Sequence, residues 1–227
     1  MYKGIFVTGT DTGVGKTIVT AGVALSLKNK GIDVGIMKPV STGGIPNEDI
    51  RFLMDFLGLK ENIELVNPVA LKESLAPYVA AKIERKKINL NKIFTSYEKL
   101  KKLHDFIIVE GIGGVFVPIL KNYFVADLIK DFKLPVIIVS RAGLGTINHT
   151  LMTINTLEQK KAKILGIVLN MFSGKDISEK TNPEMIEKLG KYPVLAKIEK
   201  DANLFKNKEL LTKKFNCLRK VLLSKRG

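Results

Sequence analysis

Seven short apolar runs separated by longer amphipathic stretches constrain the fold of this chain more than any other feature. The runs are residues 4–9, 33–39, 63–67, 106–111, 135–140, 164–170 and 193–198, and segments such as "FIIV" and "VIIV" show no polar alternation. A strand covered on both faces reads this way, whereas a half-solvated strand alternates. Helical patterns such as 17–30 and 146–161 lie between the runs. This alternation predicts an α/β fold with a doubly wound, mostly parallel seven-stranded sheet. Gly31 and Gly166 fall where helices are expected to stop. Repeats, low-complexity segments and Gly/Ser linkers are absent, so one domain over residues 1–227 is expected.

Composition narrows the functional classes. The one cysteine, Cys217, excludes an internal disulfide and lies in a basic tail without a histidine or acidic partner nearby, so no nucleophile is expected there. The first apolar run, "IFV", is too short for a secretion signal, and no run approaches the ~20 residues of a membrane span. A cytoplasmic location is therefore the expectation. The net charge of +15 comes mostly from lysines spread through every segment with few aromatics between them. That pattern reads as solvated faces, and neither nucleic acid nor membrane is an expected partner.

In a doubly wound sheet the ligand site lies beyond the carboxyl ends of the strands. The first run leads into "GTDTGVGKT", residues 9–17, and then directly into a helix. Gly13 and Gly15, flanking Val14, let backbone N–H groups turn inward around a phosphate, and the helix start adds partial positive charge. Lys16 can neutralise β- and γ-phosphate oxygens, and the Thr17 hydroxyl can ligate Mg²⁺. The order strand, glycine loop, helix makes the fold class phosphate-loop NTPase-like. The common pattern G-x-x-x-x-G-K-[ST] would place glycine where Thr10 stands.

The polar residues after the other strands form a coherent set. Pro39 biases Lys38 toward an extended conformation at a strand end near the phosphate loop, and Thr42, Gly43 and Gly44 follow as a loop. Asp49 and Asn47 read equally as helix caps, with Asp49 alternatively a metal partner. Glu110 abuts "FIIV" at the catalytic edge, where phosphate-loop enzymes place an acidic metal partner, and Gly111, Gly113 and Gly114 allow close approach of a ligand. Gly143 and Gly145 precede a helix from Thr146, a second anion-binding start. Asn170 offers a donor and an acceptor for a nucleobase edge, and the segment "AKIEKDANLF", residues 196–205, could hold a purine from the other side. His149 reads as a packed or hydrogen-bonding residue, and His104, in a lysine-rich helix end, as exposed.

"GTDTGVGKT", "KPVSTG", "NED", "VEGIGG", "FVAD", "GTINH" and "IVLN" occur in that order between residues 4 and 198, and together they resemble the dethiobiotin synthetase family. In that family's version of the phosphate loop Thr10 is normal. The resemblance implies an ATP- and Mg²⁺-dependent ligase of biotin biosynthesis, which converts 7,8-diaminononanoate and CO₂ (or bicarbonate) to dethiobiotin. It implies that Lys16 and Lys38 are catalytic, and that Thr17, Asp49 and Glu110 hold the metal. ATP would meet Thr12, Gly13, Val14, Gly15, Lys16, Thr17, Asp49, Glu110, Gly111, Gly113 and Asn170. Thr12 and Thr42 would position the diamine. The substrate carboxylate would meet Gly145, Thr146, Ile147 and Asn148 of a partner subunit, across a homodimer interface.

Two departures stand against the family pattern. The loop between Lys38 and Asp49 is short. Glu199-Lys200-Asp201 replaces the proline-led adenine segment, and Lys206 stands where an acidic residue is usual. Weak discrimination among nucleobases, or weaker ATP binding with the triphosphate contacts intact, is expected. A regulatory partitioning-type ATPase that binds DNA or membrane shares the fold and is the alternative. Its loops generally carry an additional lysine near the start, where this chain has Thr10-Asp11.

Overall fold

The structure is a computed structural model and describes residues 2–201 and 203–223. The first half runs β1 (Gly4–Gly9), α1 (Lys16–Lys28), β2 (Val34–Met37), β3 (Val40–Ser41), α2 (Glu48–Leu57), α3 (Ile63–Val66), β4 (Val69–Ala70), α4 (Pro77–Ile83) and α5 (Leu90–Leu103). The second half runs β5 (Phe106–Gly114), β6 (Pro118–Leu120), β7 (Tyr123–Phe124), α6 (Val125–Phe132), β8 (Val136–Arg141) and α7 (Thr146–Gln159). It closes with β9 (Ile164–Phe172), α8 (Ile177–Gly190), β10 (Val194–Glu199), a 3-10 turn at Leu204–Lys206 and α9 (Lys208–Leu223).

Six strands form the central sheet in the order β10-β9-β8-β1-β5-β2, and every adjacent pair is parallel. The predicted α/β class holds, but the expected seventh strand does not form. Residues 63–66 of the run 63–67 are α3. The Asn62 side chain accepts from the Glu64 N–H and starts a helical turn, and a run this short carries no period of its own. The turn has a positional role instead. Lys38 N–H donates to the Val66 carbonyl at 2.8 Å, and Asn67 Nδ2 donates to the Lys38 carbonyl at 2.7 Å. The segment therefore clamps the backbone at the end of β2.

Two apolar clusters cover the faces of the sheet, one including Ile5, Val7 and Phe106, the other Phe6, Ile107 and Val109. This two-sided burial is why the runs lack alternation. On the first face α9 lies along α1. A Cβ on Gly22 would overlap the ring of Phe215, which is fully buried, so a glycine inside a helix is here the condition for close packing. Truncating Phe215 would cost about 3–5 kcal/mol. Gly31 follows α1 with φ 75°, as expected of a helix stop. Gly166 does not stop a helix. It lies inside β9 at a register shift against β8, where a side chain would collide with the Pro193 carbonyl.

His104, expected to be exposed, is not. Its imidazole is largely buried, with Nδ1 2.9 Å from Asp33 Oδ2 and Nε2 2.9 Å from Glu61 Oε1. Its ring packs where a Cβ on Gly35 would stand. The lysines around it in sequence give no hint of these partners, because both carboxylates come from other parts of the chain.

Candidate active site

β1 sits inside the sheet and delivers its loop to the carboxyl edge, beside the ends of β5 and β8. Gly13 (φ 70°) and Gly15 (φ 93°) are both left-handed, and Gly15 leads into the first residue of α1. Gly15 has a second reason to be glycine: a Cβ there would overlap the Asn170 amide. Asn170 is buried at the end of β9, and its Nδ2 donates to the Val14 carbonyl at 2.9 Å. Its donor therefore fixes the phosphate loop, and its acceptor is what remains for a ligand.

Thr10 accounts for the departure from the common loop pattern. Its hydroxyl donates to Ser140 Oγ at 3.2 Å; Ser140 Oγ lies 2.6 Å from Thr146 Oγ1 and accepts from Thr150 Oγ1 at 2.9 Å. A hydroxyl cluster thus ties the phosphate loop to the first turns of α7.

A cavity of about 350 Å³ brings most of the expected residues together. Thr12, Gly13, Gly15, Lys16 and Thr17 line it from the loop and α1, and Lys38, Thr42 and Asp49 from the β2 side. Glu110, Gly111 and Gly113 close it from β5. Asn47 and Ser74, which the sequence did not single out as ligands, are also on its wall. Asn47 precedes α2, as a cap would, but its amide does not cap. Nδ2 donates to the Thr42 carbonyl at 2.9 Å and steadies that loop.

The two lysines are held in different ways. Lys16 Nζ donates to the carbonyls of Asp11 and Gly113, each at 3.1 Å. Burial pushes its pKa down to about 8, against the opposing pull of Glu110. Lys38 Nζ donates to Asp49 Oδ2 at 2.6 Å and to Glu110 Oε1 at 3.0 Å. Burial works against the Lys38 ammonium too, but Glu110 and Asp49 together outweigh it and raise its pKa. Glu110 is 1% exposed; its Oε1 also accepts from Thr17 Oγ1 at 3.2 Å, while its Oε2 has no partner among the described residues. Two carboxylates and a hydroxyl, all hard oxygen donors and one with an oxygen to spare, suit a cation of the Mg²⁺ class better than zinc.

A second cavity of about 450 Å³ shares Gly15, Thr17 and Asp49 with the first and continues past Asn170. Its far walls are Ile18, Phe52, Met171, Phe205 and the segment Glu199-Lys200-Asp201. Phe52 and Phe205 meet edge to face at 4.5 Å between centroids. Met171 has a left-handed φ of 64°, which L side chains rarely adopt. The segment 196–205, marked in the sequence as one that could hold a purine, brings in Phe205 at its end, whereas Phe52 reads simply as one apolar position of a helix.

Gly145, Thr146, Ile147 and Asn148 lie outside both cavities of this chain. Gly145 (φ 89°) caps α7, and Asn182 Nδ2 fixes the preceding loop by donating to the Ala142 and Gly143 carbonyls at 2.7 and 3.1 Å. Leu144 beside them is 91% exposed. His149 is exposed rather than packed, on the wall of a further pocket with Thr10, Asp11 and Phe116.

Residues 3–208 match the family model described as an AAA domain. Among solved structures the chain is similar to the cell division ATPase MinD of Pyrococcus furiosus, with a TM-score of 0.61 at 18% identity, covering 98% of each chain. That likeness concerns the fold alone. Among curated proteins it is 51% identical to the ATP-dependent dethiobiotin synthetase of Methanococcus vannielii over 175 residues, 77% of this chain and 81% of that one. It is 41% identical to the ATP-dependent dethiobiotin synthetase of Thermodesulfovibrio yellowstonii over 222 residues, 88% of this chain and 92% of that one. With this identity across most of its length, the chain belongs to the ATP-dependent dethiobiotin synthetase family.

Proposed function

We propose that the two joined cavities carry out the ATP-dependent closure of the ureido ring of dethiobiotin from 7,8-diaminononanoate and CO₂. The observation that carries this reading is the convergence of Lys16, Lys38, Thr17 and Glu110 on one cavity at the phosphate loop. One amine of the substrate adds to CO₂ and releases a proton, giving a carbamate. A carbamate oxygen attacks the γ-phosphorus of ATP and ADP leaves, giving a carbamic–phosphoric anhydride. The second amine attacks the carbamoyl carbon, and inorganic phosphate departs with the ring closed and a second proton released.

The chain's groups suit these steps. Backbone N–H groups of Gly13 to Thr17 cradle the phosphates, and Lys16 moves from two neutral carbonyls to the transferring phosphoryl group. Lys38 holds the carbamate as negative charge passes through it. Thr12 and Thr42 place the diamine at the mouth of the cavity, while Asn170 and the walls of the larger cavity receive the base. Thr17, Asp49 and Glu110 would hold Mg²⁺, which when bound neutralises and orients the β- and γ-phosphate oxygens.

The substrate's carboxylate tail is assigned to Gly145, Thr146, Ile147 and Asn148 of a partner subunit in a homodimer. Supporting this are the left-handed glycine at a helix start, its position outside the chain's own cavities, and the exposed apolar side chains of Leu144, Phe116 and Met152 around it. One domain over residues 1–227 and a cytoplasmic setting complete the reading. Among the described residues no helix is long and apolar enough to cross a membrane.

The test is product formation. Protein incubated with diaminononanoate, bicarbonate, Mg²⁺ and ATP yields dethiobiotin by mass spectrometry, whereas Lys16→Ala and Lys38→Ala yield little. Folded, nucleotide-binding wild type that makes no dethiobiotin would overturn the assignment.

A further inference from the structure

The two cavity lysines are parked on chemically different partners. Lys16 rests on two neutral carbonyls, which a phosphate can outbid without disturbing anything charged. Lys38 instead bridges Asp49 Oδ2 and Glu110 Oε1, and Thr17 Oγ1 bonds to that same Glu110 oxygen. These are the donor groups suited to a divalent cation. A cation of the Mg²⁺ class would need such oxygens at about 2.0–2.1 Å. An ammonium left in contact with them would then sit within a few ångströms of a double positive charge beside the almost fully buried Glu110, where repulsion is poorly screened. The two cations are therefore competitors for one place.

We propose that the Lys38 ammonium is the resident counter-ion of the Asp49–Glu110 pair, that entry of a divalent cation with nucleotide displaces it, and that the freed ammonium is what captures the carbamate. Three observations make the exchange feasible. Glu110 is almost fully buried, so its charge requires a partner in the ligand-free site as well as in the loaded one. Its Oε2 has no hydrogen-bond partner among the described residues, so the carboxylate is only half satisfied by the lysine. The Asp49 side chain is 51% exposed, which gives an incoming cation a solvent-side approach to the pair.

The exchange imposes an order. Before the cation arrives, Lys38 is neutralised and offers little to an anion. Afterwards an uncompensated ammonium stands beside the phosphoryl group, so Lys38 adds its hold on the carbamate when the phosphoryl donor is seated. The identity of the anion rests on the synthetase reading; the displacement itself does not.

The experiment measures Mn²⁺ binding to the full chain by the electron paramagnetic resonance of free ion, without diaminononanoate. Lys38→Met is expected to bind Mn²⁺ about tenfold more tightly than wild type, because it leaves the acid pair without its internal cation. Lys16→Met removes the same charge from the same cavity without freeing a carboxylate, and so sets the electrostatic baseline. A crystal structure of wild type with Mg²⁺ and a non-hydrolysable ATP analogue is expected to show Lys38 beyond ion-pair distance of both carboxylates. The proposal is overturned if Lys38→Met binds Mn²⁺ no more tightly than Lys16→Met. It is equally overturned if Lys38 still bridges Asp49 and Glu110 with metal bound, a result that does not depend on any variant folding. Neither readout uses the diamine, so the displacement stays testable even in a protein that makes no dethiobiotin.

Discussion

The two ends of the nucleotide site are built on opposite principles. At the phosphate end nearly every polar atom is engaged: Lys16 on two carbonyls, Lys38 on two carboxylates, Thr17 on Glu110, and Asn170 on the loop. At the base end the walls are Ile18, Phe52, Met171 and Phe205, and part of the bonding capacity of the polar segment Glu199-Lys200-Asp201 is used elsewhere. Glu199 is ion-paired with Lys214 of α9, the Lys200 N–H donates to the Phe172 carbonyl, and Asp201 Oδ1 accepts from the Asn203 N–H. On the proposed reading, one end recognises charge by fixed geometry, and the other recognises a flat apolar body by contact. Chemistry should therefore be sensitive to small changes at the first end, and tolerant of the ligand's identity at the second.

The largest expected contrast comes from single truncations. Lys38→Ala should lower kcat by about 10²–10³, the usual loss when one preorganised donor to developing charge is removed. Phe205→Ala should leave kcat nearly unchanged and raise the KM for ATP by about tenfold, the size of one aromatic–base contact. Steady-state kinetics on both variants breaks the comparison if the losses are alike in kind.

A second contrast is in pH. Lys16 is buried, and its pKa in the ligand-free protein is lowered to about 8. If nucleotide binding draws on the Lys16 ammonium as proposed, affinity should be level below pH 8 and fall as pH rises through it, by about tenfold at pH 9. ADP titrations across this range should show the fall in wild type, accompanied by proton uptake, and should show none in Lys16→Arg, whose guanidinium stays charged. A flat wild-type profile would mean that the loop and helix start hold the phosphates without the lysine.

The smallest effect should be that of the base. Replacing ATP by GTP or CTP should change kcat/KM by less than about tenfold, since a mainly apolar wall leaves few unpaired polar groups to penalise a wrong edge. A strict preference for ATP would show that Asn170 or the Glu199–Asp201 segment reads the base after all.

What can be read from the sequence follows the same division. The phosphate end depends on local order (strand, glycine loop, helix): Lys16 and Thr17 open a helix, and Glu110 directly follows the apolar run that marks β5. The base end depends on residues far apart in the chain. Phe52 on α2 and Phe205 before α9 meet only through tertiary packing, so the segment 196–205 can be read as a purine wall while nothing around Phe52 marks its partner. Gly22 and Phe215 illustrate the point in the core, where a helix glycine is explained by a ring almost two hundred positions away. The run 63–67 looks like a strand because its decisive residue, Asn62, is a cap outside the apolar run. His104 looks exposed because Asp33 and Glu61, which hold it, lie far from it along the chain.

The most direct test follows the oxygen atoms. If Lys16 and Lys38 serve attack of a carbamate on ATP, short incubations with diaminononanoate, ATP, Mg²⁺ and CO₂ carrying ¹⁸O should place one labelled oxygen in inorganic phosphate and leave the other in the ureido carbonyl. Phosphate whose new oxygen comes from water, formed with or without the diamine, would contradict that chemistry and point to a plain ATPase on the same fold.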